Sequence, residues 1–229
     1  MARAENLIEA TQNTDVFVEV SGILKALASN LLKIATDLRL LSSGPDGGLG
    51  EIRLPERQAG SSIMPGKVNP VIPEAVSQAA MVVMANDQAI ATACSMGNLE
   101  LNAFLPLIAD ALLGSLSLLA HACLIFRKHC VQGIEPNEQR CRRNVHGATA
   151  CVTALVEPLG YEAAQALAAK ARDTGKTIRE VAIDDGLLTA EEFDHLVSAE
   201  AVTRLGSPRR RPAAPAKPRD SEPGPAQQD

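Results

Sequence analysis

Apolar residues recur along residues 15–41 at mostly three- and four-residue steps, through Val16, Val20, Ile23, Leu24, Leu27, Leu31, Ala35 and Leu38. That period puts them on one broad face of a long helix. Asn13 or Thr14 is expected to cap its start. Gly44-Pro45 should stop it, since Gly accepts positive φ and Pro cannot donate the next hydrogen bond. Residues 44–60 then read as loop. A second helix is expected over 73–96, with Pro73 in its first turn and Gly97 past its end. A third covers 101–130, where Pro106 either kinks the start or marks the true first turn. Shorter helices follow over 136–155 and 161–174, separated by Pro158-Leu159-Gly160. Thr177-Ile178-Arg179-Glu180 and Thr189-Ala190-Glu191-Glu192 both match the capping box, in which Thr and Glu satisfy each other's orphan backbone N–H groups. They should open two short helices flanking Asp185-Gly186.

The pattern therefore predicts an all-α chain. Residues 1–133 form a long-helix bundle segment carrying a distinctive loop at 60–70, and 134–206 a small C-terminal helical domain. Residues 207–229 hold six of the fourteen prolines and nothing to bury, so they are expected to be a disordered tail.

Composition sharpens this picture. Hydrophobic residues make up 46% of the chain but aromatics only 2%, so the core must be built from Ala, Leu, Val and Ile. Packed helices suit that supply better than a sandwich. The formal charge is −5, and the tail carries five Lys/Arg against three Asp/Glu, a surplus of two, which leaves −7 for the rest. An acidic, aromatic-poor body argues against nucleic acid, and Arg209-Arg210-Arg211 reads as part of a solvated tail. The apolar run at 105–126 is long enough to cross a bilayer. Asp110 and His121 inside it would be costly there, whereas an all-round apolar helix fits the middle of a bundle, so no membrane is expected.

The five cysteines, Cys94, Cys123, Cys130, Cys141 and Cys151, are odd in number and lack CxxC spacing. They read as buried thiols in a reducing compartment. The first residues, MARAENLIEATQ, contain no apolar export region, and a cytoplasmic protein is expected. His121, His129, His146 and His195 have no carboxylate or cysteine partners at a metal-site spacing, so no metal is expected.

Candidate chemistry concentrates in Gly60-Ser61-Ser62-Ile63-Met64-Pro65-Gly66-Lys67-Val68-Asn69-Pro70. Two prolines alternate with two glycines there, and two hydroxyls, a cation and an amide fall within nine residues. Stiff points beside swinging points suit a loop that closes over substrate. Residue by residue, a surface connector accounts for each of these equally well.

As one string, GSSIMPGKVNP followed by Glu74 resembles the signature loop of the aspartase/fumarase superfamily. Ser43-Gly44-Pro45, Leu54-Pro55-Glu56 and Glu100-Leu101-Asn102 fall in that family's order and spacing, over about residues 5–205. Asn69-Pro70-Val71-Ile72-Pro73-Glu74, Ala10-Thr11-Gln12-Asn13-Thr14-Asp15 and Asp37-Leu38-Arg39-Leu40-Leu41 are similar to the aspartate ammonia-lyase version. Class II fumarases usually carry a Thr-Gln-Cys-like triplet after that Asn-Pro.

The resemblance implies a cofactor-free lyase, assembled as a homotetramer, that eliminates ammonia from L-aspartate to give fumarate. Ser61 would be the general base. Lys67 and Asn69, aided by Ser62, would bind the carboxylate and stabilise its dianionic aci form. Glu74 resembles the carboxylate that orients a histidine of the catalytic region. Two departures stand out. Asp46 replaces the family's usual Arg, and the chain lacks the N-terminal half that supplies other site segments. The alternatives are a class II fumarate hydratase or a non-catalytic helical oligomerisation fragment.

Overall fold

The computed structural model describes residues 4–44, 47–58 and 67–204. A short α1 (Glu9–Gln12) leads into α2 (Asp15–Leu41), whose bounds match the apolar periodicity. Thr14 occupies the N-cap position but does not cap, because its hydroxyl accepts from Asn102 Nδ2 (3.4 Å) instead. Past Ser42, Gly44 takes φ 146°, a value that favours glycine. The chain then folds back, with Gly50 N–H donating to the Ser43 carbonyl (2.8 Å) and Glu51 N–H to the Leu41 carbonyl (2.9 Å).

A two-residue strand β1 (Ile52–Arg53) precedes α3 (Val71–Ser95) and α4 (Leu105–His129). Pro73 is the third residue of α3 and Pro106 the second of α4. Both rings sit where a backbone N–H has no intrahelical partner anyway, so neither kinks its helix. A 3-10 turn (Val131–Gly133) then delivers β2 (Glu135–Pro136), antiparallel to β1 with Ile52 opposite Pro136 and Arg53 opposite Glu135. This ribbon and α1 are unsignalled in the apolar pattern, since strands of two residues and a helix of four are too short to show a period.

The long helices α2, α3 and α4 pack through small residues. Ala28, Leu31 and Ala35 meet Val76, Ala79, Ala80 and Val83, with Leu119, Ala122 and Phe126 closing the cluster. Alanines at the contacts let the helix axes approach closely, which is how so aromatic-poor a chain closes its interior. A second cluster joins Ile90 and Ala93 to Ile108, Ala111 and Leu112. Polar groups also link the three helices: Ser21 Oγ donates to the buried Asp87 Oδ1 (2.7 Å), the exposed Lys25 Nζ to Asp87 Oδ2 (2.6 Å), and Asn86 Nδ2 to Ser115 Oγ (3.0 Å). By length and composition α4 could cross a membrane. One side of it packs into these clusters, while Leu107, Leu113, Leu116 and Leu124 are exposed.

Two compact units are present, residues 1–143 and 144–229. The first extends past position 133 because residues 135–140 are bonded into it. Beyond the β1–β2 ribbon, Asn137 Nδ2 donates to the Gly50 carbonyl (3.1 Å), and Arg140 to the carbonyls of Leu49 (Nε, 3.1 Å) and Gly48 (Nη2, 2.9 Å). The helix expected over 136–155 is in fact three pieces: α5 (Glu138–Gly147), a 3-10 turn (Thr149–Cys151) and α6 (Val152–Leu159). Ala148 breaks it by turning extended, at φ −80° and ψ 126°. Pro158 lies inside α6 rather than between helices, and Gly160, at φ 82°, ends it.

In the second unit, α7 (Tyr161–Thr174), α8 (Ile178–Asp184), α9 (Ala190–Leu196) and α10 (Ala199–Val202) follow. Both expected capping boxes are formed, at Thr177/Glu180 and Thr189/Glu192. Leu155, Leu167, Ile178, Val181 and Phe193 fill its core. Burial pushes up the thiol pKa values of Cys130 and Cys151, the latter against its own backbone hydrogen bond, so both are poor nucleophiles.

Candidate active site

Ser61 and Ser62, the expected base and its neighbour, lie outside the described residues, as do Asp46 and the 207–229 tail. The later part of the signature string is described. Lys67 and Asn69 are half-buried on the approach to α3, and Glu74 stands in its first turn. The carbonyl of Asn69 accepts from Val71 N–H (2.9 Å) and that of Pro70 from Glu74 N–H (3.1 Å), so Asn69-Pro70 fixes where the helix begins. Among the described residues Lys67 makes no ion pair.

Glu74 is held from another helix. Its Oε1 lies 3.5 Å from Arg39 Nη2, in the last turn of α2. None of the described histidines is bonded to it. His121 Nδ1 is within 2.8 Å of the Ser117 carbonyl of its own helix, and His129 receives Arg57 Nε on its backbone carbonyl at 3.0 Å. The residue sequence reasoning missed is therefore Arg39. It stands within Asp37-Leu38-Arg39-Leu40-Leu41, but nothing local in that string points to Glu74.

A cavity of about 470 Å³ opens beside the loop stems, between the end of α2 (Ser42, Ser43), residues 50–56, Val68, Pro70 and the stretch from Gly133 to Asn137. Arg53, Glu56 and Glu135 bring one cation and two carboxylates to its wall. Asn69 lines a much smaller crevice with Pro55, Arg57 and His129. Among the described residues no cluster of three or more His, Cys, Asp and Glu could hold a metal ion.

Three packed long helices, with a polar loop stem running into the first turn of the second, define an all-helical scaffold. Residues 2–85 match the Lyase family model and residues 151–204 the Fumarase C C-terminus model. A class II fumarate hydratase of Thermosynechococcus vestitus is 49% identical over 86% of this chain and 42% of its own. An aspartate ammonia-lyase of Bacillus subtilis is 45% identical over 89% of this chain and 43% of its own. The fumarate lyase:delta crystallin of Brucella melitensis superposes with a TM-score of 0.80 at 48% identity, over 86% of this chain and 44% of that one. The chain belongs to the aspartase/fumarase superfamily and has its all-helical fold. It spans less than half the length of these relatives and corresponds to their C-terminal part.

Proposed function

We propose that this chain works as the C-terminal part of a cytoplasmic, cofactor-free lyase that eliminates ammonia from L-aspartate to give fumarate. The observation that carries the reading is the string Asn69-Pro70-Val71-Ile72-Pro73-Glu74, which has the aspartate ammonia-lyase form. Ser61 takes the proton from the carbon next to one carboxylate, and ammonia leaves from the neighbouring carbon on the opposite face. A serine hydroxyl is a weak base, so the reaction depends on stabilising the dianionic aci-carboxylate that proton loss creates. Lys67 supplies a positive charge and Asn69 an amide N–H for that dianion, with Ser62 adding a further donor. Each such donor is worth about 3 kcal/mol where charge develops in a dry site. Glu74, steadied by Arg39, orients a histidine from the part of the lyase that this chain does not span.

The exposed apolar faces of the bundle support assembly. Val16, Ile23, Met81, Val82, Leu113 and Leu124 are each at least half exposed, and apolar faces of this kind mark surfaces that a partner covers. A homotetramer whose long helices form a shared bundle would cover them.

Fumarate hydration is the second reading, because a class II fumarate hydratase is as similar to this chain as the ammonia-lyase is. Assaying both reactions on one preparation of a lyase containing this chain separates the two. Fumarate and ammonia from L-aspartate, with little malate from fumarate, is the expected result. Predominant malate formation moves the assignment to the hydratase, and no turnover with intact assembly leaves a non-catalytic oligomerisation fragment.

A further inference from the structure

Both described stems of the signature loop meet at one place, the C-terminal end of α4. On the incoming side, Arg57 Nε donates to the His129 carbonyl at 3.0 Å. That carbonyl ends α4 and has no intrahelical donor, and a cation suits the negative end of the helix. Two residues earlier, Pro55 packs against Gly133 so closely that a β-carbon built on the glycine would fall 2.5 Å from Pro55 Cγ. A pyrrolidine ring cannot swing aside as a long side chain does, so only glycine admits this approach. On the outgoing side, Asn69 and Pro70 line the same crevice as Pro55, Arg57 and Cys130. Cys130 is 1% exposed and belongs to the apolar core of the bundle. The crevice floor is therefore tied to the rigid helices.

An ordinary helix-end contact would involve one chain segment. Here two segments share it, and they are those entering and leaving the loop. We propose that Arg57 and Gly133 are positioning residues that set the separation of the two stems, residues 54–58 and 67–70, and thereby place Lys67 and Asn69 against the dicarboxylate. The placing of substrate groups rests on the function proposed above. The fixed separation does not.

The test measures that separation directly in the 229-residue chain. Spin labels carried by a noncanonical amino acid at Gln58 and Val68, both exposed, avoid the five native cysteines. With the labelled chain diluted in unlabelled chain, so that only pairs within one protomer are read, pulsed dipolar spectroscopy should give one narrow distance distribution. Arg57→Ala and Gly133→Ala should each at least double its width, with circular dichroism confirming that the helices persist. Arg57→Lys should keep it narrow, since an ammonium still reaches the carbonyl. If Gly133→Ala does not fold, Arg57→Ala decides alone, and an unchanged width in that variant overturns the anchor. In a complete lyase containing this chain, Arg57→Ala should lower kcat/KM about tenfold or more, and Arg57→Lys should restore it. A widened distribution with unchanged kcat/KM overturns the positioning role. If Lys67→Ala also leaves turnover intact, the proposed function fails, and the distance result alone judges the anchor.

Discussion

Arg39 Nη2 lies 3.5 Å from Glu74 Oε1, joining the last turn of α2 to the first turn of α3. Each charge also suits the dipole of its own helix, a cation at a C-terminus and an anion at an N-terminus. The side chains are 44% and 40% exposed, so water screens the pair and its worth to stability is at most about 1 kcal/mol. Arg39→Ala should therefore shift a urea midpoint only slightly. In a complete lyase the same change should cut turnover clearly, because it frees the carboxylate proposed to orient a histidine. A large stability loss, or wild-type turnover, would contradict this account.

Asp87 carries a heavier structural load. Its side chain is 10% exposed and receives Ser21 Oγ and Lys25 Nζ. Burial alone raises its pKa, but the hydrogen bonds from Lys25 and Ser21 and the Lys25 charge outweigh it and hold the carboxyl below its ordinary 3.8. A depressed folded-state pKa gives stability that is present above the unfolded value and is lost as pH falls through the folded one. Urea unfolding at near-neutral and strongly acidic pH should show this loss in the wild type and a smaller one in Asp87→Asn. Asp87→Ala should cost about 1 kcal/mol or somewhat more near neutrality, because it strands the buried Ser21 hydroxyl while the Lys25 ammonium, on a side chain 52% exposed, returns to water.

The two capping boxes give a local prediction for the second unit. Thr177→Ala and Thr189→Ala should each lower stability by about 1 kcal/mol, while Thr→Ser at either position should be almost silent. The backbone and side-chain hydrogen bonds of Thr177 and Thr189 hold the carboxyls of Glu180 and Glu192 below 4.5. Their stabilising effect should be present above that value and fade on acidification, and thermal melts of the Thr→Ala variants should show a weaker form of this pH dependence, because the backbone N–H at position 177 or 189 still donates to the carboxylate.

The proposed roles of Ser61 and Lys67 predict different kinetic losses. In a complete lyase, Ser61→Ala should lower kcat by orders of magnitude with modest change in KM, since only a transition-state interaction is removed. Lys67→Ala should damage both, because its charge meets the substrate carboxylate and then the more negative intermediate; about 3 kcal/mol or more is at stake. Near-normal turnover by a folded, assembled Ser61→Ala enzyme would return the loop to a connector.

What the sequence determined by itself is what neighbouring residues decide among themselves. The bounds of α2 and α7 follow from apolar spacing, because a helix aligns residues three and four apart. The capping boxes at Thr177 and Thr189 close within four residues. The family is legible for a similar reason, since GSSIMPGKVNP is one unbroken string. The interruption at Ala148 escaped because the apolar pattern continues through it, while the backbone turns extended between α5 and the 3-10 turn that leads to α6. Only the tertiary structure joined Arg39 to Glu74, Asp87 to Ser21 and Lys25, and Arg57 and Gly133 to the ends of the loop. The partners in those pairs are tens of residues apart, and each residue taken singly looks like an ordinary surface charge, a helix polar group or a turn glycine. Their meaning comes from helix packing, which brings distant turns within hydrogen-bonding distance and leaves no trace in local spacing.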